Sequence, residues 1–346
     1  MEPYEEPPLH DHRDDPRVLR ERAKPPPRER KPVCTLHHPR ILCLHGGGTN
    51  ALIFKAQMAR LTKKLSPHFR LVFANAPFES PPISPLLAKV YNEQEFGTYR
   101  RWLRFKEEHP DVDAADAVRQ IDASLKEAID KDNAEGADGE LVGVLGFSQG
   151  GKLAASLLYR QQIWEEKGLE LPLGFKFNFA VTMAGREPVI ALGPKEIYAP
   201  NVLPDAGEIS SHGGVAVSVV QKLKLPTLHV HGLLDEGLPL HQGLLDNWCE
   251  KSSASVMSWY GDHRVPLKSQ DIETLAWEIK EVARRGGVKV PKHNDGEYVC
   301  GLRLVPVSEF KGKQGFADQW VGDGEDNENI KDTGDGNNTR DAGAGA

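Results

Sequence analysis

Six short, almost unbroken apolar runs recur through the middle of this chain, with room for a helix between most of them. They are RILCLH (40–45), FRLVFA (69–74), LVGVLGF (141–147), FKFNFAVTM (175–183), TLHVH (227–231) and SVMSWY (255–260). A strand with one wet face alternates polar and apolar residues. Near-continuous apolarity is the mark of a strand covered on both faces, as in a parallel sheet. The intervening stretches carry helical spacing. Asn50 is placed to cap a helix over 51–65, whose Leu52, Phe54, Met58, Leu61 and Leu65 share a face. Over 111–130, Val118, Ile121, Leu125 and Ile129 recur at intervals of three and four. Helices over 149–162, 240–250 and 268–284 complete the set. Strand and helix in alternation predict an α/β fold: a mostly parallel sheet of about six strands with helices on both faces.

The two ends do not share this pattern. Residues 1–38 are rich in proline and mixed charge, and 312–346 in glycine and acidic residues. Neither supplies enough apolar surface to offset the entropy of ordering, so both are expected to be disordered. The folded domain is expected over 39–287, with 288–311 an extension of uncertain kind. No apolar run approaches the roughly 20 residues of a membrane span. The first residues lack an apolar core, so no cleaved secretory signal is expected and the protein is read as cytoplasmic. A net charge of −7 argues against a broadly cationic nucleic-acid surface. The four cysteines lie far apart without a C-x-x-C, which suits a reducing compartment.

Gly146-Phe147-Ser148-Gln149-Gly150 reads G-x-S-x-G. Alone that pattern is common. Here an apolar strand ends at Phe147 and an apolar-faced helix begins just after Ser148, the strand-to-helix turn that a nucleophile elbow needs. The serine of such a turn sits in a strained backbone conformation, and glycines on either side avoid collisions with the neighbouring strand and helix. A serine hydroxyl is a weak nucleophile without a base, and the base needs an orienting acid. In this architecture they follow in the order Ser, Asp, His, each after a later strand. TLHVH is followed by Gly232-Leu233-Leu234-Asp235, and SVMSWY by Gly261-Asp262-His263. Ser148 is therefore assigned as nucleophile, His263 as base and Asp235 as orienter. Glu236 and Asp262 are the alternative acids.

A tetrahedral intermediate needs two backbone donors for its oxyanion. The amide of Gln149 is one. The loop after the first strand, His45-Gly46-Gly47-Gly48, supplies the other, and Gly47 is the choice because it lets the chain approach the substrate. The turn from Gly46 to Ala51 also fits G-x-G-x-x-A, a dinucleotide fingerprint, which leaves a nicotinamide-dependent reductase as an alternative. That reading wants an acid at the end of the second strand, where Ala74-Asn75-Ala76-Pro77 stands instead. His229 and His231, followed by Asp235, have spacing compatible with a metal, but no third clustered His, Glu or Cys appears, so neither metal nor cofactor is expected. A third reading is a non-catalytic acyl-binding protein on a hydrolase scaffold.

Between the second strand and the helix from 111 lie some 35 residues rich in large apolar side chains. Phe78, Tyr91, Phe96, Tyr99 and Trp102 are expected to line an acyl pocket above Ser148. Residues 184–214 are the candidate opposite wall, with Arg186 available to a polar end of the substrate.

With these residues in place, the core resembles the FSH family of serine hydrolases, α/β-hydrolases of fungi and animals that include the lovastatin-type polyketide hydrolases. The matching segments are ILCLHGGGTN (41–50), Asn75 to Pro77, LGFSQGG (145–151), HGLLD (231–235) and GDHRVP (261–266). The resemblance spans about residues 38–285. It implies an α/β-hydrolase fold, hydrolysis of acyl esters or thioesters, and the same triad. Two positions depart from the family pattern: Gly261-Asp262-His263 where Gly-Gly-His is usual, and Glu236-Gly237-Leu238 where a valine commonly follows the acid. The triple-glycine loop looks most like the fungal secondary-metabolite branch. That likeness implies release of a polyketide or other acyl chain from an acyl carrier domain.

Overall fold

The computed structural model describes residues 34–198, 203–209 and 221–290. The tail expected over 312–346, the residues from 291 of the extension, and all but the last residues of the leader lie outside them. The elements run β1 Arg40–Leu44, α1 Ala51–Gln57, α2 Ala59–Leu65, β2 Arg70–Ala74, β3 Phe78–Glu79, α3 Pro85–Val90, α4 Glu93–Phe96 and β4 Arg100–Arg101. There follow α5 Ala114–Ala134, β5 Leu141–Phe147, α6 Gln149–Glu166, β6 Phe179–Met183, β7 Thr227–Gly232, α7 Leu238–Trp248, β8 Ala254–Trp259 and α8 Ser269–Arg285.

The expected sheet is present. Six strands run in the order β2-β1-β5-β6-β7-β8, and every neighbouring pair is parallel. Two apolar layers cover it. In β1, Leu42 and Leu44 join the layer that holds α5, α6 and α7, while Ile41 and Cys43 join the layer that holds α1, α2 and α8. This alternation is why β1 is apolar throughout: each face of the strand meets a different set of helices. No helix among the described residues is long and apolar enough to cross a membrane.

Local chemistry fixes the element ends. Asn50 caps α1, its side chain accepting from the Ile53 N–H at 2.9 Å. Asp113 caps α5 by accepting from the Ala115 and Asp116 amides. Ala117, Ile121, Leu125 and Ile129 form the buried face of α5. In α6 burial extends all the way round, and even Arg160 is buried, held by both carboxylate oxygens of Asp122 at 2.8 and 2.9 Å.

Two expectations need correction. The helix over 51–65 is two helices, α1 and α2, divided at Met58. The strand expected from residue 175 begins at Phe179, because the Gln161 side chain accepts from the Phe177 N–H at 2.7 Å and donates to its carbonyl at 3.0 Å. Those backbone groups are thereby drawn away from the sheet. Within the long connection before α5, β3 and β4 pair antiparallel.

Candidate active site

The site lies at the C-terminal ends of β5, β7 and β8, the end of an open parallel sheet where loops from several strands converge. Ser148 follows β5 directly and opens α6. Its φ of 55° and ψ of −115° place a non-glycine residue in the left-handed half of backbone space. The strain persists because the turn is clamped: the Ser148 N–H donates to the Met183 carbonyl at 2.8 Å. The flanking glycines have steric reasons. A Cβ on Gly146 would stand 2.0 Å from the Gly150 carbonyl oxygen, and one on Gly150 would stand 2.1 Å from that of Leu44. Both obstacles are backbone and cannot rotate away. Gly150→Ala is expected to cost about 3 kcal/mol, at the upper end of overpacking, by forcing α6 away from β1. Chemical denaturation measures this, and an unchanged midpoint would refute it.

The loops after β7 and β8 bring two further side chains to Ser148. His263 Nε2 lies 2.8 Å from Ser148 Oγ, and His263 Nδ1 lies 2.7 Å from Asp235 Oδ2. Asp235 is buried, and its Oδ1 accepts from the Gly237 N–H at 2.8 Å. Burial by itself would raise the Asp235 pKa. The Gly237 amide and the His263 ring outweigh it and hold the carboxyl below the usual carboxylate range. An ionised Asp235 keeps the imidazole proton on Nδ1, which leaves the Nε2 lone pair facing the hydroxyl. The Phe147 ring packs against the imidazole with centroids 5.1 Å apart. The alternative acids are elsewhere: Asp262 pairs with Arg264, and Glu236 is exposed.

Gln149 is the first residue of α6, so its N–H has no carbonyl one turn earlier in the helix. Gly47 stands opposite. A Cβ there would meet the Phe105 ring at 3.0 Å and Gln149 Oε1 at 3.3 Å. His45 is fully buried and structural. Its Nε2 accepts from the Ala76 N–H at 3.0 Å and its Nδ1 faces the Gly46 carbonyl at 2.8 Å. The turn from Gly46 to Ala51 does not look like a phosphate cradle. The Ala51 N–H donates to Asn75 Oδ1 at 3.1 Å and the Ile53 N–H is taken by Asn50, so the amides a diphosphate would use are engaged. Asn75 also occupies the place where a ribose-binding carboxylate would stand.

A cavity of about 420 Å³ opens beside Ser148 and His263. Ile83, Leu87, Tyr91, Phe147, Val265 and Leu267 supply its apolar wall, and Ala56, Gln57, Ala59 and Arg60 of α1 and α2 another side.

A serine on a strained turn at hydrogen-bonding distance from a carboxylate-oriented histidine is the arrangement of a serine hydrolase. Comparison with known proteins agrees. The family model described as serine hydrolase (FSH1) matches residues 35–275. The chain belongs to the FSH1 serine hydrolase family. Among curated proteins, the esterase pigG of Monascus ruber is 48% identical over 262 residues, covering 73% of this chain and 94% of its own. The esterase claE of Penicillium crustosum is 46% identical over 258 residues, covering 73% and 96%. Among solved structures, Zea mays acyl-protein thioesterase 2 is 20% identical, with a TM-score of 0.41 over 73% of this chain and 96% of its own. The family and the α/β-hydrolase fold expected from the sequence both hold, and the chain is a serine hydrolase.

Of the five aromatics expected to wall the pocket of this FSH1 hydrolase, only Tyr91 lines the cavity. Trp102 is wholly buried and donates from its indole N–H to the His45 carbonyl at 2.9 Å, so it supports the glycine loop from behind. Tyr99 is buried and donates its hydroxyl proton to the Tyr91 carbonyl. Phe78 packs against the core beneath the Arg101 guanidinium. Phe96 faces a separate surface groove beside Asn50 and Asn75. The described part of 184–214 contributes nothing to the cavity wall. Arg186 lies against Gly237, beside the loop of Asp235. Sequence reasoning missed α1, α2 and the residues after His263 as pocket walls. It also missed the second role of Gln149. Its side-chain oxygen accepts from the Trp102 and Leu103 amides at 2.6 and 3.2 Å, and its Nε2 donates to the Leu103 carbonyl at 3.1 Å. The residue after the nucleophile therefore pins the β4 segment over the elbow.

Proposed function

We propose that this hydrolase cleaves an acyl ester or thioester through an acyl-enzyme on Ser148. The continuous hydrogen-bond chain from Asp235 through His263 to Ser148 carries the reading. His263 Nε2 takes the Ser148 proton as Oγ attacks the carbonyl, then returns it to the leaving alcohol or thiol. In the second half it deprotonates the water that releases the acid. The Gly47 and Gln149 amides hold the oxyanion. The apolar cavity beside Ser148 suits the acyl chain, and the exposed His263 and Arg264 on its lining suit a leaving group that extends into solvent. A carrier-bound acyl chain, such as a polyketide on the arm of an acyl carrier domain, fits that division.

A fluorophosphonate probe tests the nucleophile. Wild-type protein is expected to be labelled once, and Ser148→Ala not at all. Equal labelling of the two would overturn the assignment. Turnover of acyl thioesters carried on a carrier domain, compared with free p-nitrophenyl esters, tests the substrate.

A further inference from the structure

Behind the Asp235 carboxylate lies a side chain that the reaction above does not use. His241, in the first turns of α7, is wholly buried, and neither of its ring nitrogens has a hydrogen-bond partner. A buried imidazole with both nitrogens bare forgoes about 1–3 kcal/mol for each unsatisfied group. Whichever tautomer it adopts, one nitrogen presents a lone pair to its surroundings. Its Nδ1 lies 3.9 Å from Asp235 Oδ2, the oxygen that also faces His263 Nδ1 at 2.7 Å. One ligating atom from each of Asp235, His241 and His263 lies within 4.8 Å of the others. The donor set is two imidazoles and one carboxylate, the kind that binds zinc with three protein ligands and leaves the remaining position to water.

We propose that Asp235, His241 and His263 form a reversible inhibitory site for a divalent cation of the zinc type. The fit needs only side-chain adjustment. Metal–ligand bonds of about 2.0–2.2 Å set tetrahedral ligand atoms about 3.3 Å apart, so the closest pair opens slightly and the others draw in. The cation takes the place of the proton between Asp235 and His263. The Nδ1 proton leaves to solvent, Nε2 gains one from solvent, and the ring stays neutral. Nε2–H is then a donor and has no lone pair for the Ser148 proton. The cation switches the base off without touching the nucleophile, a consequence that rests on the reading of His263 as base. Of the two histidines that sequence spacing singled out, His229 faces Thr182, Thr227 and Cys249 instead.

The test uses zinc chloride and the full chain. Zinc is expected to suppress ester hydrolysis by the wild type, and EDTA to restore it. Calorimetry on Ser148→Ala should show one zinc bound with wild-type affinity, which reads the site without activity. His241→Leu replaces an unsatisfied polar ring with an apolar side chain, so it should fold, and it should weaken zinc binding and inhibition at least about tenfold. In wild-type protein with 15N-labelled histidine, zinc should shift the ring nitrogens of both His241 and His263. Equal zinc affinity in folded His241→Leu, or unmoved His241 nitrogens, would overturn the proposal. Should His241→Leu fail to fold, the nitrogen shifts decide. Hydrolysis surviving in Ser148→Ala would sink the catalytic reading and leave the zinc titrations to stand or fall separately.

Discussion

Ser148→Ala is expected to lower kcat by about 10⁴–10⁶-fold, a loss of about 5–8 kcal/mol of transition-state stabilisation. The hydroxyl is the only group at this turn placed to form a covalent acyl bond, and without it His263 has no proton to accept. The fold should survive. Ser148 makes no side-chain cap to α6, and the clamp on the turn is its backbone N–H to the Met183 carbonyl, which alanine retains. Steady-state kinetics on a short acyl ester, with circular dichroism to check folding, gives the answer. The residual rate should stay above the uncatalysed one, because the Gly47 and Gln149 amides proposed for the oxyanion remain. A variant that kept more than about a tenth of wild-type turnover would show that another group performs the attack.

Mild acid should unfold this protein. His45, His229 and His231 are among the histidines held neutral well below the ordinary value near 6.5. Burial pushes His45 down to about 4, with nearby Arg100 acting the same way and the Gly46 carbonyl opposing. Burial, reinforced by His231, pushes His229 to about 3. Burial lowers His231 to about 4 against the pull of Asp246 and Asp235. In the unfolded chain each takes up a proton below about pH 6.5, and in the folded chain none does until pH 3–4. The unfolded state therefore binds more protons across this window, and stability falls as pH falls. At pH 5 the loss is about 2 kcal/mol per ring. For three rings it becomes comparable with the whole stability of an ordinary domain. Urea denaturation should show a steep fall in midpoint between pH 7 and pH 5, and far-UV circular dichroism should collapse above the range where carboxylates titrate. A midpoint unchanged at pH 5 would refute the assignment of these rings as neutral and buried.

Much of the architecture was legible before any coordinates, because parallel strands and amphipathic helices write their burial into residue periodicity. β5 runs from Leu141 to Phe147, where the apolar run places it. That Ser148, Asp235 and His263 would come together was legible for a related reason: each follows a strand end within a few residues, so strand order predicts which loops meet. The pocket was not legible. Large aromatics mark burial, and Trp102 and Tyr99 are buried as braces rather than as walls, a distinction that depends on which side of β4 faces the cavity. The division of α1 from α2 at Met58 has no glycine or proline to announce it, and yet residues on both sides of it line the cavity.

The sequence by itself determined the strand-turn-helix around Ser148, since glycines at 146 and 150 and an apolar strand are local requirements of the bend. It also determined the α/β layering, since periodicity is a local property. Only the tertiary structure decided that His241 lies bare behind Asp235, that Gln149 fastens Trp102 and Leu103 over the elbow, and that α1 and α2 wall the cavity. Each of these is a contact between segments far apart in the chain or a side chain's choice of direction. Close packing of the whole molecule settles such choices, and no stretch of residues encodes them alone.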